Sequence, residues 1–168
     1  MAATTVHLTE FLASRSVDVL TNSMLIVARL LAEGGNRVTV PGGTIYREQN
    51  IILSPYDDDA MGHLWGQRLL TSCCGLNRCG IMEADPLIVQ AEMKLLKRAD
   101  ELIVLADSSK LRQRSSMIVA PLERISVLYR HGRDRDRSRV VPIRRHSRDQ
   151  GGSSARRQTF GLAAHDAS

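Results

Sequence analysis

Five short apolar and β-branched runs, read mostly as continuous rather than alternating, set the tightest limit on this chain: 17–20, 38–40, 69–73, 102–105 and 125–128. A strand with one wet face alternates apolar and polar residues, whereas an unbroken apolar run needs cover on both faces. Between the runs lie helical patterns. Met24, Val27, Ala28 and Leu31 keep the spacing of one helix face, and Gly34 and Gly35 close that helix as glycines past a last turn do. A second helix is predicted to start at Asp85, an N-cap, with Pro86 at its first position. It carries a stripe of Leu87, Ala91 and Leu95 and ends near Asp100. Strand–helix alternation of this kind predicts an α/β fold, a largely parallel sheet with flanking helices.

The pattern fails after Leu128. Residues 129–168 hold ten Arg, no Lys and four Asp, and have no apolar period. They are expected to be disordered, which divides the chain into a folded part, 1–128, and an Arg-rich tail, 129–168. The net charge of +5 belongs wholly to that tail, because residues 1–128 carry 13 basic and 14 acidic side chains. A basic surface for nucleic acid is therefore not expected on the folded part.

Cys73, Cys74 and Cys79 lie close together, but no His nearby completes a zinc site, so free thiols are expected and no metal. The N-terminus lacks the basic and apolar regions of a signal peptide. The longest apolar run, 24–28, is far short of a membrane span. A soluble cytoplasmic protein is expected, without a membrane partner and without a cofactor.

Polar clusters stand where two of these strands should end. Thr21, Asn22 and Ser23 follow the run 17–20 and open a helix; Asp107, Ser108, Ser109 and Lys110 follow the run 102–105. Ligands of open α/β sheets bind at the carboxyl ends of strands. A helix N-terminus there offers N–H groups and a positive dipole end to phosphate, and Lys110 adds a full charge. Gly42 and Gly43 also follow a strand, where a backbone can come close to a ligand. The plainer alternatives are helix capping for Thr21–Ser23 and a solvated turn for 107–110. Asp85 and Glu92 are the nearest carboxylates, and Glu92 and Lys94, two apart, face different ways on a helix. Lys97, His7, His63, Trp65 and the run Asp57, Asp58, Asp59 carry no motif, and for each the structural or solvated reading is preferred.

The ordered segments "TTVH", "TNS", "PGGT", "ILSP", "AEMKLL…ADELIVLADSSK" and "LERISVL" resemble the effector-sensing domain of DeoR-family transcriptional repressors, over about residues 3–128. Within that family "NIILSP", "TSCCGL" and "AEMKLL" are most similar to the L-ascorbate utilisation regulator subgroup. The resemblance implies a fold shared with ribose-5-phosphate isomerase and a phosphorylated sugar or sugar acid as effector. It places Thr4 and Thr5 in a first phosphate-binding loop and Thr21, Asn22 and Ser23 in a second. Gly42 and Gly43 match a glycine pair, and Lys110 matches the lysine of "DSSK". With Asp85 and Glu92 these residues make up the expected effector site, with no catalytic residue among them. Operator DNA would be a partner only through a helix-turn-helix that is not in this sequence.

The sequence departs from the family at both ends. Ala3 stands where such loops carry glycine, a preceding strand is missing, and an Arg-rich segment replaces an "ITD"-like continuation. Glu92 stands where many members have lysine. The expectation is a sensor domain incomplete at both ends, from a gene truncated in front and shifted out of frame behind, with exposed sheet edges that favour a homo-oligomer. The alternatives are a sugar-phosphate isomerase on the same fold and a nonspecific nucleic-acid binder acting through the tail.

Overall fold

The computed structural model of the chain describes residues 8–54, 60–131, 139–142 and 159–163. Its centre is a seven-stranded sheet. In chain order its strands are β1 (Asp18–Thr21), β2 (Arg37–Thr39), β5 (Gly66–Thr71), β8 (Ala99–Asp107), β10 (Ile125–His131), β11 (Arg139–Pro142) and β12 (Thr159–Ala163). Their spatial order is β11-β10-β8-β5-β12-β1-β2, and every neighbouring pair is parallel except β10 with β11. A hairpin of β3 (Thr44–Tyr46) and β4 (Ile51–Leu53) and a small antiparallel sheet of β6 (Gly75–Asn77), β7 (Gly80–Glu83) and β9 (Met117–Ala120) complete the strands. The helices are α1 (Leu8–Ala13), α2 (Met24–Glu33) and α3 (Pro86–Leu96). The expected α/β class with a largely parallel sheet is what the chain adopts.

Why the strands are rich in apolar residues is visible in the core. Successive strand residues point to opposite faces, and both faces are covered. Leu20, Leu69, Leu102, Val104 and Ala106 pack on one side with Leu76, Ile81, Val89, Leu95, Val119 and Ile125. Val19 and Leu70 point the other way, into Leu12, Val17, Ile26 and Leu30 of the α1–α2 side. Each such side chain, fully buried, contributes about 1.5–3 kcal/mol. Cross-strand charges follow the register: Arg68 lies opposite Glu101 with Nε–Oε2 at 3.2 Å.

Three expectations need correction. Residues 129–168 are not without regular structure: β10 runs on to His131, and β11 and β12 both belong to the sheet. The run "TFGLA" is apolar enough for a central strand, and paired neighbours satisfy its backbone on both edges. Gly161 leaves room there, since a Cβ on it would sit 3.2 Å from Leu69 Cδ1. Second, α3 ends at Leu96, not near Asp100, and its buried residues are Ile88, Val89, Glu92 and Leu95, whereas Leu87 is exposed. Arg124 stops it there, donating to the carbonyls of Leu96, Ala99 and Asp100. Third, Gly34 closes α2 with an extended backbone, φ −140°, rather than a left-handed one. A Cβ there would be crowded, 2.6 Å from Asn36 Oδ1 and 3.1 Å from Ala13 Cα.

Candidate functional site

The carboxyl ends of β1, β5 and β8 lie on one edge of the sheet, because these strands are parallel to their neighbours and in register. Thr21 pairs with Leu162 of β12, Ala163 of β12 with Thr71, and Thr71 with Val104 of β8. The edge therefore collects Thr21–Ser23, Thr71–Cys74 and Asp107–Lys110. Its polar groups are unusually deep: Thr21, Asn22, Ser23, Thr71, Glu83 and Glu92 are all buried.

Local bonds fix most of these groups. Thr21 Oγ1 accepts from the Ser23 N–H at 3.1 Å, so the hydroxyl shapes the turn into α2. Ser23 holds the N-cap position of α2, but its side chain makes no capping bond. The backbone there is clamped by the hairpin instead: Met24 N–H donates to Asn50 O and Ile52 N–H to Asn22 O, each at 2.8 Å. Asp85 is a true cap, accepting from Leu87 N–H at 2.8 Å. Asp107 does the same for the short turn Ser108–Lys110, accepting from Ser109 N–H at 2.7 Å. This leaves Lys110 at the end of a held turn, half-buried.

Glu92 lies under the edge, not on the surface, and accepts from Thr71 Oγ1 at 2.8 Å. Glu83, at the end of β7, is also buried, with the Cys74 thiol 3.0 Å from Oε1 and the Ala84 N–H donating to the same oxygen. The three cysteines are free thiols. Burial pushes the Cys73 thiol from 9.0 up to about 12, and the Glu92 carboxylate adds to the rise while Lys110 opposes it. Among the described residues no group of His, Cys, Asp or Glu could hold a metal ion, and no helix is long and apolar enough to cross a membrane.

A cleft opens beside Asn22. Its floor is Asn22, Ile52 and Leu95; one wall is Pro41, Leu53 and Ser54; the other is Leu87, Gln90, Ala91 and Lys94 of α3. The last four follow helical spacing and form one face of α3, the face opposite that of Glu92. Counted out to its mouth the cleft spans about 320 Å³. Among the described residues that line it Lys94 carries a charge, and its Nζ donates to Ser54 O at 3.0 Å.

The residues expected from sequence are thus distributed unevenly. Thr21, Asn22, Ser23, Glu92 and Lys110 belong to the edge, and Asp85 caps the helix beneath it. Thr4 and Thr5 lie outside the described residues, as do His7 and Asp57–Asp59. Gly42 and Gly43 differ from each other. Gly43 has φ +148° and a Cβ on it would collide with Leu53 O, so it serves the hairpin; Gly42 has open space around it. Lys94, Glu83, Cys74 and Gln90 were not among the expected residues.

A parallel sheet that gathers polar groups from separate segments at its carboxyl edge places them where ligands of open α/β sheets bind. The model of the DeoR C-terminal sensor domain matches residues 1–130, and the chain belongs to that family. Similar proteins include the HTH-type transcriptional regulators UlaR of Shigella dysenteriae serotype 1 and Escherichia coli O1:K1, each 30% identical over 117 residues. UlaR of Shigella boydii serotype 18 matches equally well. The aligned part is 70% of this chain and 46% of each relative, so the chain spans about half the length of the curated relatives it matches.

Proposed function

We propose that this chain is the effector-sensing part of a cytoplasmic transcriptional regulator of carbohydrate metabolism, and that its sheet edge binds a phosphorylated sugar or sugar acid. The observation that carries the reading is the convergence of Thr21–Ser23 and Lys110 on one edge, from segments far apart in sequence. Around them the N-terminal end of α2 and the ammonium of Lys110 supply the positive potential that a phosphate needs. Ligand binding would act by favouring one of two arrangements of a homo-oligomer, and operator DNA would be contacted through a helix-turn-helix outside this sequence.

The test is calorimetric titration of the 168-residue chain with ribose 5-phosphate, 6-phosphogluconate and inorganic phosphate. At least one sugar phosphate should bind, and Lys110→Gln should weaken it about tenfold or more, as loss of a charge-assisted hydrogen bond does. No binding by any probe to the unaltered chain would overturn the proposal. The enzymatic alternative would require Glu92 to act as a base. Its hydrogen bond to Thr71 supports a structural role instead. Conversion of ribose 5-phosphate to ribulose 5-phosphate, lost in Glu92→Gln, would reverse that judgement.

A further inference from the structure

Asn22 is 5% exposed, and its Oδ1 has no hydrogen-bond partner among the described residues. Buried polar groups are nearly always paired, and an unpaired buried acceptor weighs against folding. The backbone of the same residue is satisfied: its carbonyl accepts from Ile52 N–H at 2.8 Å, which holds the loop against β4. The side chain lines the cleft between β4 and α3. With it stand Pro41, Ile52, Leu53, Leu87, Ala91 and Leu95. Those six side chains carry no hydrogen-bond donor, and a charged donor would lose its hydration against them. A neutral donor on a molecule that also has an apolar face suits such a place.

We infer that Asn22 Oδ1 receives a hydroxyl of the bound sugar, whose C–H face packs on the apolar wall of the cleft. The inference rests on the proposed binding of a phosphorylated sugar or sugar acid and narrows it. Asn22 stands between Thr21 and Ser23, so the cleft adjoins the edge assigned to the phosphate. Asn22 is thereby a specificity residue: it tells a sugar phosphate from an alkyl phosphate of the same length. A site that bonds a hydroxyl rejects the analogue lacking it strongly, because the buried acceptor then stays unpaired. The same residue works against the ligand-free fold. An apolar side chain in its place removes the unpaired acceptor and should leave the free chain at least as stable. An asparagine kept for structure would behave in the opposite way.

The experiment compares ribose 5-phosphate with pentyl phosphate, which has the same carbon count and phosphate but no hydroxyls, by calorimetric titration of the 168-residue chain. Ribose 5-phosphate should bind about tenfold or more tightly. Asn22→Leu and the smaller Asn22→Ala should each erase most of that preference, while the melting temperature of the ligand-free chain holds or rises. Equal or weaker binding of ribose 5-phosphate to the unaltered chain, or a preference unchanged in both variants, overturns the inference. Binding of either ligand then leaves the phosphate site at the edge standing. A ligand-free melting temperature several degrees lower in both variants also overturns it, because the side chain would then serve the fold. If neither ligand binds, the inference falls. If 6-phosphogluconate fails as well, the broader reading falls with it.

Discussion

Thr71 and Glu92 hold each other in the core: the Thr71 hydroxyl donates to Glu92 Oε1 at 2.8 Å, and each residue is 3% exposed. The bond ties the end of β5 to the middle of α3, directly beneath the polar edge. Thr71→Val keeps the shape and removes the donor, leaving a buried carboxylate one bond short. Stability should fall by about 1–3 kcal/mol, read as a lower urea midpoint with an unchanged slope. A midpoint within error of the unaltered chain would mean that the bond contributes nothing to folding.

Cys73 predicts a pH dependence. Its thiol is raised in the folded chain from 9.0 to about 12, mainly by burial. Between those values the unfolded chain has lost a proton that the folded chain keeps. The stabilisation is therefore complete below about pH 9 and is lost as pH rises toward 12. Cys73→Ala should flatten the alkaline limb of the stability profile. Iodoacetamide at pH 8 should label exposed Cys79 well before Cys73, in an order that peptide mass spectrometry reads directly.

The two glycines after β2 should separate cleanly. Gly43→Ala places a methyl group on Leu53 O at a backbone angle that L-residues rarely adopt, so it should lower the melting temperature by several degrees or more. Gly42→Ala meets nothing within 4 Å and should leave stability within about 0.5 kcal/mol. If Gly42→Ala nonetheless weakens sugar-phosphate binding, a ligand approaches the backbone there. If binding is unaffected, the pair serves the hairpin alone.

Arg124 caps α3 from a distant segment, with Nη2 2.5 Å from Ala99 O and Nη1 3.1 Å from Asp100 O. A cation at a helix C-terminus is favourable for the dipole as well as for the carbonyls. Arg124→Ala should cost about 1–2 kcal/mol, and Arg124→Lys should recover only part of it because a single ammonium cannot span three carbonyls. Full recovery by lysine would show that charge alone matters.

The strand ends are legible because a largely apolar run followed by "TNS" or "DSSK" marks both the strand and the place where it stops. The burial of Glu92 was legible too, but was passed over. Ile88, Val89, Glu92 and Leu95 keep the spacing of a buried stripe, and the exposed Leu87 drew the stripe a third of a turn away. The cleft could not be read, since it joins Asn22 to Lys94 through three-residue strands too short to show a period. The hairpin's need for Gly43 could not be read, since the carbonyl of Leu53 that a Cβ would meet lies in a separate segment. The tail misled for a compositional reason: nine arginines between 133 and 157 hid the run "TFGLA" that follows them.

That run has a consequence for how the chain comes to be folded. β12 lies between β1 and β5, and Asp18 pairs with Thr159 across nearly the whole length of the sequence. Loops of that length close late and slowly. As the chain leaves the ribosome, β1 and β5 are made long before the strand that joins them. Until residues 159–163 emerge, two apolar strands wait with open hydrogen-bonding edges, which is when a chaperone or a second nascent chain can capture them.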